Sequence, residues 1–165
     1  MKIGVLSDTH LKVPDIVLNY ILDDIFRDVD HILHAGDIVS AAVLDRLEER
    51  GALAVCGNMD DFQIAESIPQ LRMITLESKR IALIHGWGSK HGLQERILAR
   101  LENESPDLVV YGHSHVPFWG KINGFMMFNP GSAGHDVFSD ESHVGILEIL
   151  DGEVFAKFIK VSTNR

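Results

Sequence analysis

Five short apolar segments are each followed at once by side chains that can bind a metal ion, and this pattern constrains the fold most strongly. The polar sequences are SDTH (7–10), HAGD (34–37), CGNMD (56–60), LIHG (83–86) and YGHSH (111–115). In open α/β sheets the carboxyl ends of the strands converge on a common crevice, so residues far apart in the chain can surround one site. The sequence therefore predicts that five strand ends meet at one functional site.

The order of the segments predicts an α/β (α+β) fold that begins parallel and finishes antiparallel. A βαβαβ opening is predicted, with strands at 2–7, 31–36 and 52–57 and helices at 15–27 and 41–50. Strands at 72–78, 80–86 and 107–112 and a helix at 93–101 follow, and then antiparallel strands with hairpin turns at 123–124 and 151–152. We expect two mixed β-sheets packed as a sandwich and flanked by helices, in one domain over residues 1–165.

Length and composition favour a globular protein in the cytoplasm. The chain has 165 residues, and its longest strongly apolar runs, such as IALI (81–84), fall far short of the roughly 18 residues of a membrane span. The N-terminus reads as a strand and lacks a signal-peptide pattern. The short apolar runs predict no membrane association, and a net charge of −9 repels a nucleic-acid backbone, so stable nucleic-acid binding is not expected. The single cysteine, Cys56, excludes an intramolecular disulfide and a Cys-rich zinc site.

The candidate metal ligands are significant as a set rather than one by one. A lone His near a strand end is more often a hydrogen-bonded residue, and a lone Asp is more often a turn or cap residue. Here two carboxylates, four imidazoles and one carboxamide follow five strands, which favours a metal site: Asp8, Asp37, His10, His85, His113, His115 and Asn58. Such mixed oxygen and nitrogen ligands suit first-row divalent ions.

The ordered motifs resemble those of the calcineurin-like metallophosphoesterases. They are D-x-H at 8–10, G-D at 36–37, G-N-x-D at 57–60, H-G at 85–86 and G-H-x-H at 112–115. The sequence NPGS at 129–132 strengthens a narrower resemblance to the small single-domain prokaryotic phosphodiesterases of that family, which extends from residue 1 to about residue 135. The resemblance implies the two-sheet sandwich and a dinuclear metal centre.

The same resemblance implies a ligand set for two divalent ions. One ion would be held by Asp8, His10 and His115, the other by Asn58, His85 and His113, and Asp37 would bridge them. Asp37, Asn58 and His113 are the predicted catalytic residues. An extended chain would present His113 and His115 on one side while Ser114 points away. Family likeness makes Mn²⁺ the first choice of metal, with iron, nickel, zinc and magnesium as alternatives.

A dinuclear centre predicts hydrolysis of a phosphate ester of a small molecule, most readily a phosphodiester, by a hydroxide that bridges the two ions. Many relatives carry a His after the motif Asn, where it can protonate the leaving oxygen, whereas this chain has Met59. We therefore expect a preference for aryl phosphodiesters, whose leaving group needs little protonation. Asp60, Asp61 or a metal-bound water is the alternative acid.

Several assignments stay open from the sequence alone. Trp87 could stack on a substrate or pack at the base of a loop, His135 is a weaker candidate for substrate contact, and His34 could hydrogen-bond a metal ligand. The alternative function is a non-catalytic scaffold, like the retromer scaffold subunit that resembles these enzymes, or a metal-binding regulator. A homo-oligomer is compatible with either function.

Overall fold

Two five-stranded sheets form the centre of the protein in the computed structural model, which describes residues 1–134 and 141–162. The first sheet has the spatial order β10–β9–β1–β2–β3, with β1 at Lys2–Leu6, β2 at His31–His34, β3 at Leu53–Ala54, β9 at Ser142–Leu150 and β10 at Glu153–Val161. Its β1, β2 and β3 are parallel, whereas β9 is antiparallel to both of its neighbours.

The second sheet is also mixed. Its order is β4–β5–β6–β8–β7, with β4 at Leu71–Leu76, β5 at Lys79–Ile84, β6 at Leu108–Tyr111, β7 at Phe118–Ile122 and β8 at Phe125–Asn129. The β5–β6 and β6–β8 pairs are parallel, and β4–β5 and β7–β8 are antiparallel. The predicted sandwich of two mixed sheets is confirmed.

Within the described residues, four helical segments flank the sheets: α1 (Ile16–Tyr20, continued by a π-helical segment Ile21–Ile25), α2 (Ala41–Glu49), α3 (Phe62–Ser67) and α4 (Leu93–Arg100). Side chains at the N-caps begin three of them, since Asp15, Ser40 and Asp61 each accept a bond from a first-turn backbone N–H. We did not predict α3, because it has one buried residue, Ile64, and so carries no apolar periodicity.

The core of the described chain consists of three clusters of apolar side chains, one between the two sheets and one on the outer face of each sheet. Side chains such as Val5 and Leu33 of the first sheet pack against Leu83 and Val110 of the second. Helices α1 and α2 cover the outer face of the first sheet, while α4 covers the outer face of the second. In the described part of the chain no helix combines the length and the apolarity that crossing a bilayer requires.

Two local predictions can be compared with the backbone. Asn123–Gly124 and Asp151–Gly152 have positive φ at both positions, as the predicted two-residue hairpin turns require. The strand predicted over 52–57 was too long, because only Leu53–Ala54 pairs with β2. Beyond it the chain leaves the sheet, and Cys56 N–H donates to the carbonyl of Pro69 instead.

Candidate metal centre

The predicted ligands come from strand ends in both sheets. Asp8, Asp37 and Asn58 follow β1, β2 and β3 of the first sheet, whereas His85 and the GHSH segment follow β5 and β6 of the second. The crevice therefore lies where two packed sheets open at the same end. The structure brings the seven predicted ligand residues into one cluster.

One group of the cluster consists of Asp8, His10 and His115. The Nε2 atoms of the two histidines lie 3.3 Å apart. Oδ1 of Asp8 lies 3.2 Å from Nε2 of His115 and 3.8 Å from Nε2 of His10. These three side chains converge closely enough to hold one metal ion.

The second group is formed by Asp37, Asn58, His85 and His113. Oδ1 of Asn58 lies 3.2 Å from His85 Nε2 and 2.8 Å from His113 Nδ1. Oδ2 of Asp37 lies 3.3 Å from His85 Nε2 and 3.7 Å from Nε2 of His10 in the first group. Asp37 thus lies between the two groups, and its other oxygen accepts the Met59 N–H at 2.8 Å.

The surroundings of one buried carboxylate oxygen, Oδ1 of Asp8, indicate that these residues fit a cation. Oδ2 of Asp8 accepts bonds from the Ser7 hydroxyl (2.5 Å) and the His113 N–H (3.1 Å), whereas no described residue makes a well-aligned hydrogen bond to the buried Oδ1, which the His115 imidazole approaches at 3.2 Å. Burying a charged oxygen without a partner costs free energy unless a cation compensates it. Oδ1 also faces His85 Nε2 at 3.8 Å, so it points into the space between the two groups. A divalent ion fits this position.

The charges around the cluster favour ionised carboxylates. Burial acts to raise the pKa of Asp8, but the His115 contact, the His85 charge and the Ser7 hydroxyl lower it below its usual value. Burial also acts to raise the pKa of Asp37, but the contact with His85 lowers that pKa below its usual value. Burial acts to lower the pKa of His85, but the contacts with Asp37 and Asp8 raise it. Ionised carboxylates are the form that a cation needs.

Two histidines of the second group turn different nitrogens inward. Nδ1 of His85 lies 2.6 Å from the carbonyl of Ala35, to which it donates its proton, and this leaves Nε2 as the lone-pair atom. In His113 the Nε2–H donates to the carbonyl of Gly88 at 2.7 Å, so Nδ1 faces the cluster. Each ring is therefore oriented by a backbone carbonyl behind it, as metal-binding histidines usually are.

The predicted extended conformation of the GHSH segment is wrong. His113 and His115 have φ of 66° and 62°, which is the left-handed region, and Ser114 N–H bonds back to Gly112 at 2.7 Å. The chain makes a tight turn there because the strand has to end at the crevice. The two rings nevertheless reach the two different groups.

Glycine 112 is required at this turn by close packing. A Cβ atom at Gly112 would lie 2.0 Å from Ser7 Oγ and 2.8 Å from Asp8 Oδ2. Any side chain would thus displace the residue that carries the buried Oδ1. The GHSH turn and the Asp8 loop can approach this closely only because position 112 has no side chain.

Residues of the NPGS motif form hydrogen bonds to the loops of the site, and these bonds could not be predicted from the sequence. The Asn129 side-chain amide is buried and donates to the carbonyl of Gly112 (2.8 Å) and to Ser114 Oγ (3.0 Å). The Ser132 hydroxyl donates to the carbonyl of Asp8 at 2.9 Å. The motif therefore ties the GHSH turn to the Asp8 loop, and its position after the last ligand was the only signal available.

His34 contacts the backbone of the ligand loops and not a ligand side chain, so that prediction was wrong in its detail. The ring is fully buried, and burial lowers its pKa to about 3, which keeps it neutral. Nδ1 accepts the Gly36 N–H at 3.1 Å, so Nε2 carries the proton and donates to Thr9 Oγ1 at 3.2 Å. The Thr9 hydroxyl in turn donates to the carbonyl of Asp37 at 3.4 Å.

The alternative acids beside the centre are occupied by structural bonds. Both oxygens of Asp60 accept backbone N–H bonds at 2.6 Å, from Val39 and Gly57, and so join the loops after β2 and β3. Asp61 caps α3 through its bond to Ile64 N–H. The Met59 side chain is 59% exposed beside Asn58 and has no proton to donate.

An open cavity of about 720 Å³ lies beside the second group and shares Asn58 and His85 with it. Trp87 lines the cavity with 42% of its surface exposed. Cys56 also lines it, and burial together with the nearby Asp60 and Asp37 charges raises the pKa of its thiol to about 11, so the thiol stays protonated. Asn58, Trp87 and His135 are the residues predicted to contact the substrate, and His135 lies outside the described residues.

Comparison with known proteins identifies the family. A sequence model of the calcineurin-like phosphoesterase superfamily domain matches residues 1–152. The chain belongs to this family. Members of this metallophosphoesterase family are phosphoric ester hydrolases that bind divalent metals, which agrees with the candidate ligand groups.

Individual relatives support the assignment. The metallophosphoesterase chain is 37% identical over 159 residues to a probable metallophosphoesterase of Methanothermobacter thermautotrophicus, covering 93% of this chain and 88% of that one. It is 28% identical over 146 residues to a phosphodiesterase of Methanocaldococcus jannaschii, covering 79% and 83%. Small prokaryotic proteins of this family are thus among its relatives.

Solved structures share the fold. A predicted phosphoesterase from Streptococcus pneumoniae superposes with a TM-score of 0.76 at 25% identity, over 96% of this chain and 88% of that one. Vps29 from Chaetomium thermophilum superposes with a TM-score of 0.72 at 19% identity, over 97% and 96%. The second similarity concerns the fold alone.

Proposed function

We propose that the protein is a phosphodiesterase that uses two divalent ions, with Mn²⁺ as the first choice, on a small-molecule phosphate ester. The observation that carries the proposal is the position of Asp37 between two groups of ligands, beside the buried Oδ1 of Asp8. Two ions bound there would supply Lewis acidity to the phosphoryl oxygens and lower the pKa of a water molecule to near neutrality, which makes that water the nucleophile.

The side chains divide into holding and positioning roles. Asp8, His10 and His115 would hold one ion, and Asn58, His85 and His113 the other, with Asp37 shared between them. Because Oδ1 of Asn58 faces two imidazoles, its amide nitrogen is left to donate a hydrogen bond to a phosphoryl oxygen. The carbonyls of Ala35 and Gly88 keep the rings of His85 and His113 oriented during the reaction.

The surroundings of Met59 favour diesters with good leaving groups. Hydrolysis forms a bond from the water oxygen to phosphorus and breaks the ester P–O bond, so the leaving oxygen carries away negative charge. An alkoxide needs a proton at that moment, whereas an aryl oxide does not. Met59 cannot supply a proton, and the carboxylates of Asp60 and Asp61 already accept backbone bonds.

The alternative is a non-catalytic scaffold or regulator of the same fold. Vps29 has this fold, so the alternative has to be tested. All seven predicted ligand positions carry residues able to bind a metal, which favours catalysis. We further propose that the chain acts as one domain in the cytoplasm, without stable nucleic-acid partners.

The proposal predicts metal-dependent hydrolysis with a clear order of substrates. We expect protein stripped of metal to be inactive, and Mn²⁺ to restore hydrolysis of bis(4-nitrophenyl) phosphate more strongly than that of 4-nitrophenyl phosphate. Release of 4-nitrophenol measures both reactions. The His113→Ala variant should lose the restored activity. Metal binding with no turnover of either ester would instead favour the scaffold or regulator.

A further inference from the structure

The cavity beside the second ligand group is large enough to hold part of a substrate. Its volume of about 720 Å³ lies in the range of small-molecule sites. It shares Asn58 and His85 with the candidate centre, so a group attached to the reacting phosphorus can extend directly into it. The inference drawn from this cavity rests on the proposed function, because it concerns the substrate of the same site.

The backbone of Trp87, which lines the cavity, is held by hydrogen bonds from Arg96. Nε and Nη2 of Arg96 donate to the Trp87 carbonyl at 3.2 and 2.9 Å, and the same guanidinium bonds to the carbonyls of Ser89 and His91. The backbone is thus fixed while 42% of the residue stays exposed. Trp119 differs, because its ring packs edge-on against Phe128 at 6.0 Å. An exposed indole on a fixed backbone is a platform for a planar ring.

The described lining of the cavity carries a cation and no acidic residue, although Asp37 and Asp60 lie close to Cys56. The chain has 24 acidic residues and a net charge of −9, yet none of the described residues lining the cavity is acidic. Arg100, at the end of α4, is the permanently charged residue of this lining. Its guanidinium makes no hydrogen bond or ion pair within residues 1–134 and 141–162, so its donors are available to an anion.

We propose that this cavity binds a nucleotide arm of the substrate, with the base stacked on Trp87 and a second phosphate bound by Arg100. A guanidinium pairs with phosphate through two parallel hydrogen bonds, and any of the nucleobases can stack on an aromatic face. Arg100 is therefore a specificity-determining residue, and the preferred substrate is a phosphodiester whose nucleoside carries a further phosphate.

Two substrates that differ by one phosphate test this inference. They are thymidine 5′-(4-nitrophenyl phosphate) and the same compound with an added 3′-phosphate. With Mn²⁺ present, we expect kcat/KM for the 3′-phosphorylated compound to be about tenfold higher, mainly through a lower KM. Arg100→Gln should bring the ratio close to one. Lys121→Gln removes the same charge from an exposed position on β7 that does not line the cavity, and it should keep the ratio.

Failure of this inference can be told from failure of the proposed function. Equal hydrolysis of both compounds by the unaltered protein would overturn the inference and leave the phosphodiesterase intact. If neither compound is hydrolysed, the proposed function fails, and binding then decides the inference. In a Trp119→Phe background, quenching of Trp87 fluorescence should show thymidine 3′,5′-bisphosphate binding about tenfold more tightly than thymidine 5′-monophosphate. Equal binding, or a preference that survives Arg100→Gln, would overturn it.

Discussion

The Asp8→Asn variant is expected to lose both metal-dependent hydrolysis and the stabilisation that Mn²⁺ gives to the fold. The change removes the charge from the buried Oδ1, to which no described residue makes a well-aligned hydrogen bond, while Asn tolerates the positive φ of 54° at this position. Loss of even an outer partner of a metal ligand costs 10–100-fold in affinity, so loss of the negative charge of this ligand should cost at least about 100-fold. At a fixed Mn²⁺ concentration, kcat/KM for an aryl diester should fall by at least the same factor.

Thermal unfolding with and without Mn²⁺ measures the second effect. At a metal concentration of 100 times Kd, each bound ion should add about 2.7 kcal/mol to the unfolding free energy of the unaltered protein, whereas an ion whose Kd is 100-fold higher in the variant should add about 0.4 kcal/mol. Asp45→Asn makes the same chemical change on the exposed surface of α2 and should behave as the unaltered protein. An Asp8→Asn variant that keeps the full metal-induced stabilisation would show that Asp8 is no ligand.

The Met59→His variant is expected to increase hydrolysis of alkyl phosphodiesters by about 100-fold, the lower end of what a positioned general acid contributes. Met59 lies beside Asn58 with an exposed side chain, and its backbone N–H, which a substitution keeps, donates to Asp37. An imidazole there could protonate an alkoxide leaving group. Aryl diesters should gain little, because their leaving groups need no proton. Rates with methyl 4-nitrophenyl phosphate and with a dialkyl diester provide the comparison.

Met59→Gln is the matched control for this prediction, since a carboxamide is polar and of similar length but is not an acid. It should leave the preference for aryl over alkyl leaving groups as it is. If the glutamine variant raises alkyl turnover as much as the histidine variant, polarity and not proton donation is responsible. An unaltered protein that already favours alkyl esters would contradict the account of the missing acid.

The sequence predicts the sheets and which polar residues cluster at the strand ends, because both depend on strong local signals. Short apolar runs followed by Asp, His or Asn mark the strand ends, and Asn-Gly and Asp-Gly mark the hairpins. The turn at 112–115 could not be predicted, because His113 and His115 adopt left-handed backbone conformations, which are uncommon for residues other than glycine. That conformation is imposed by the surrounding contacts of Gly112 and Asn129.

Long-range pairing explains the other differences. Asp60 looks like a catalytic carboxylate in the sequence, but two backbone N–H groups from different loops bind it. His34 looks like a partner of a ligand, yet its two nitrogens are taken by Gly36 and Thr9. Neither partner set follows from spacing along the chain, since each depends on how loops of different strands approach one another.

The number of Mn²⁺ ions bound per chain, measured while diester hydrolysis is followed in the same titration, tests the central claim most directly. Metal-free protein should bind two ions, and hydrolysis should appear as the second is bound, because the two ligand groups share Asp37. Hydrolysis by the metal-free protein, or saturation of the protein without any hydrolysis, would contradict the account.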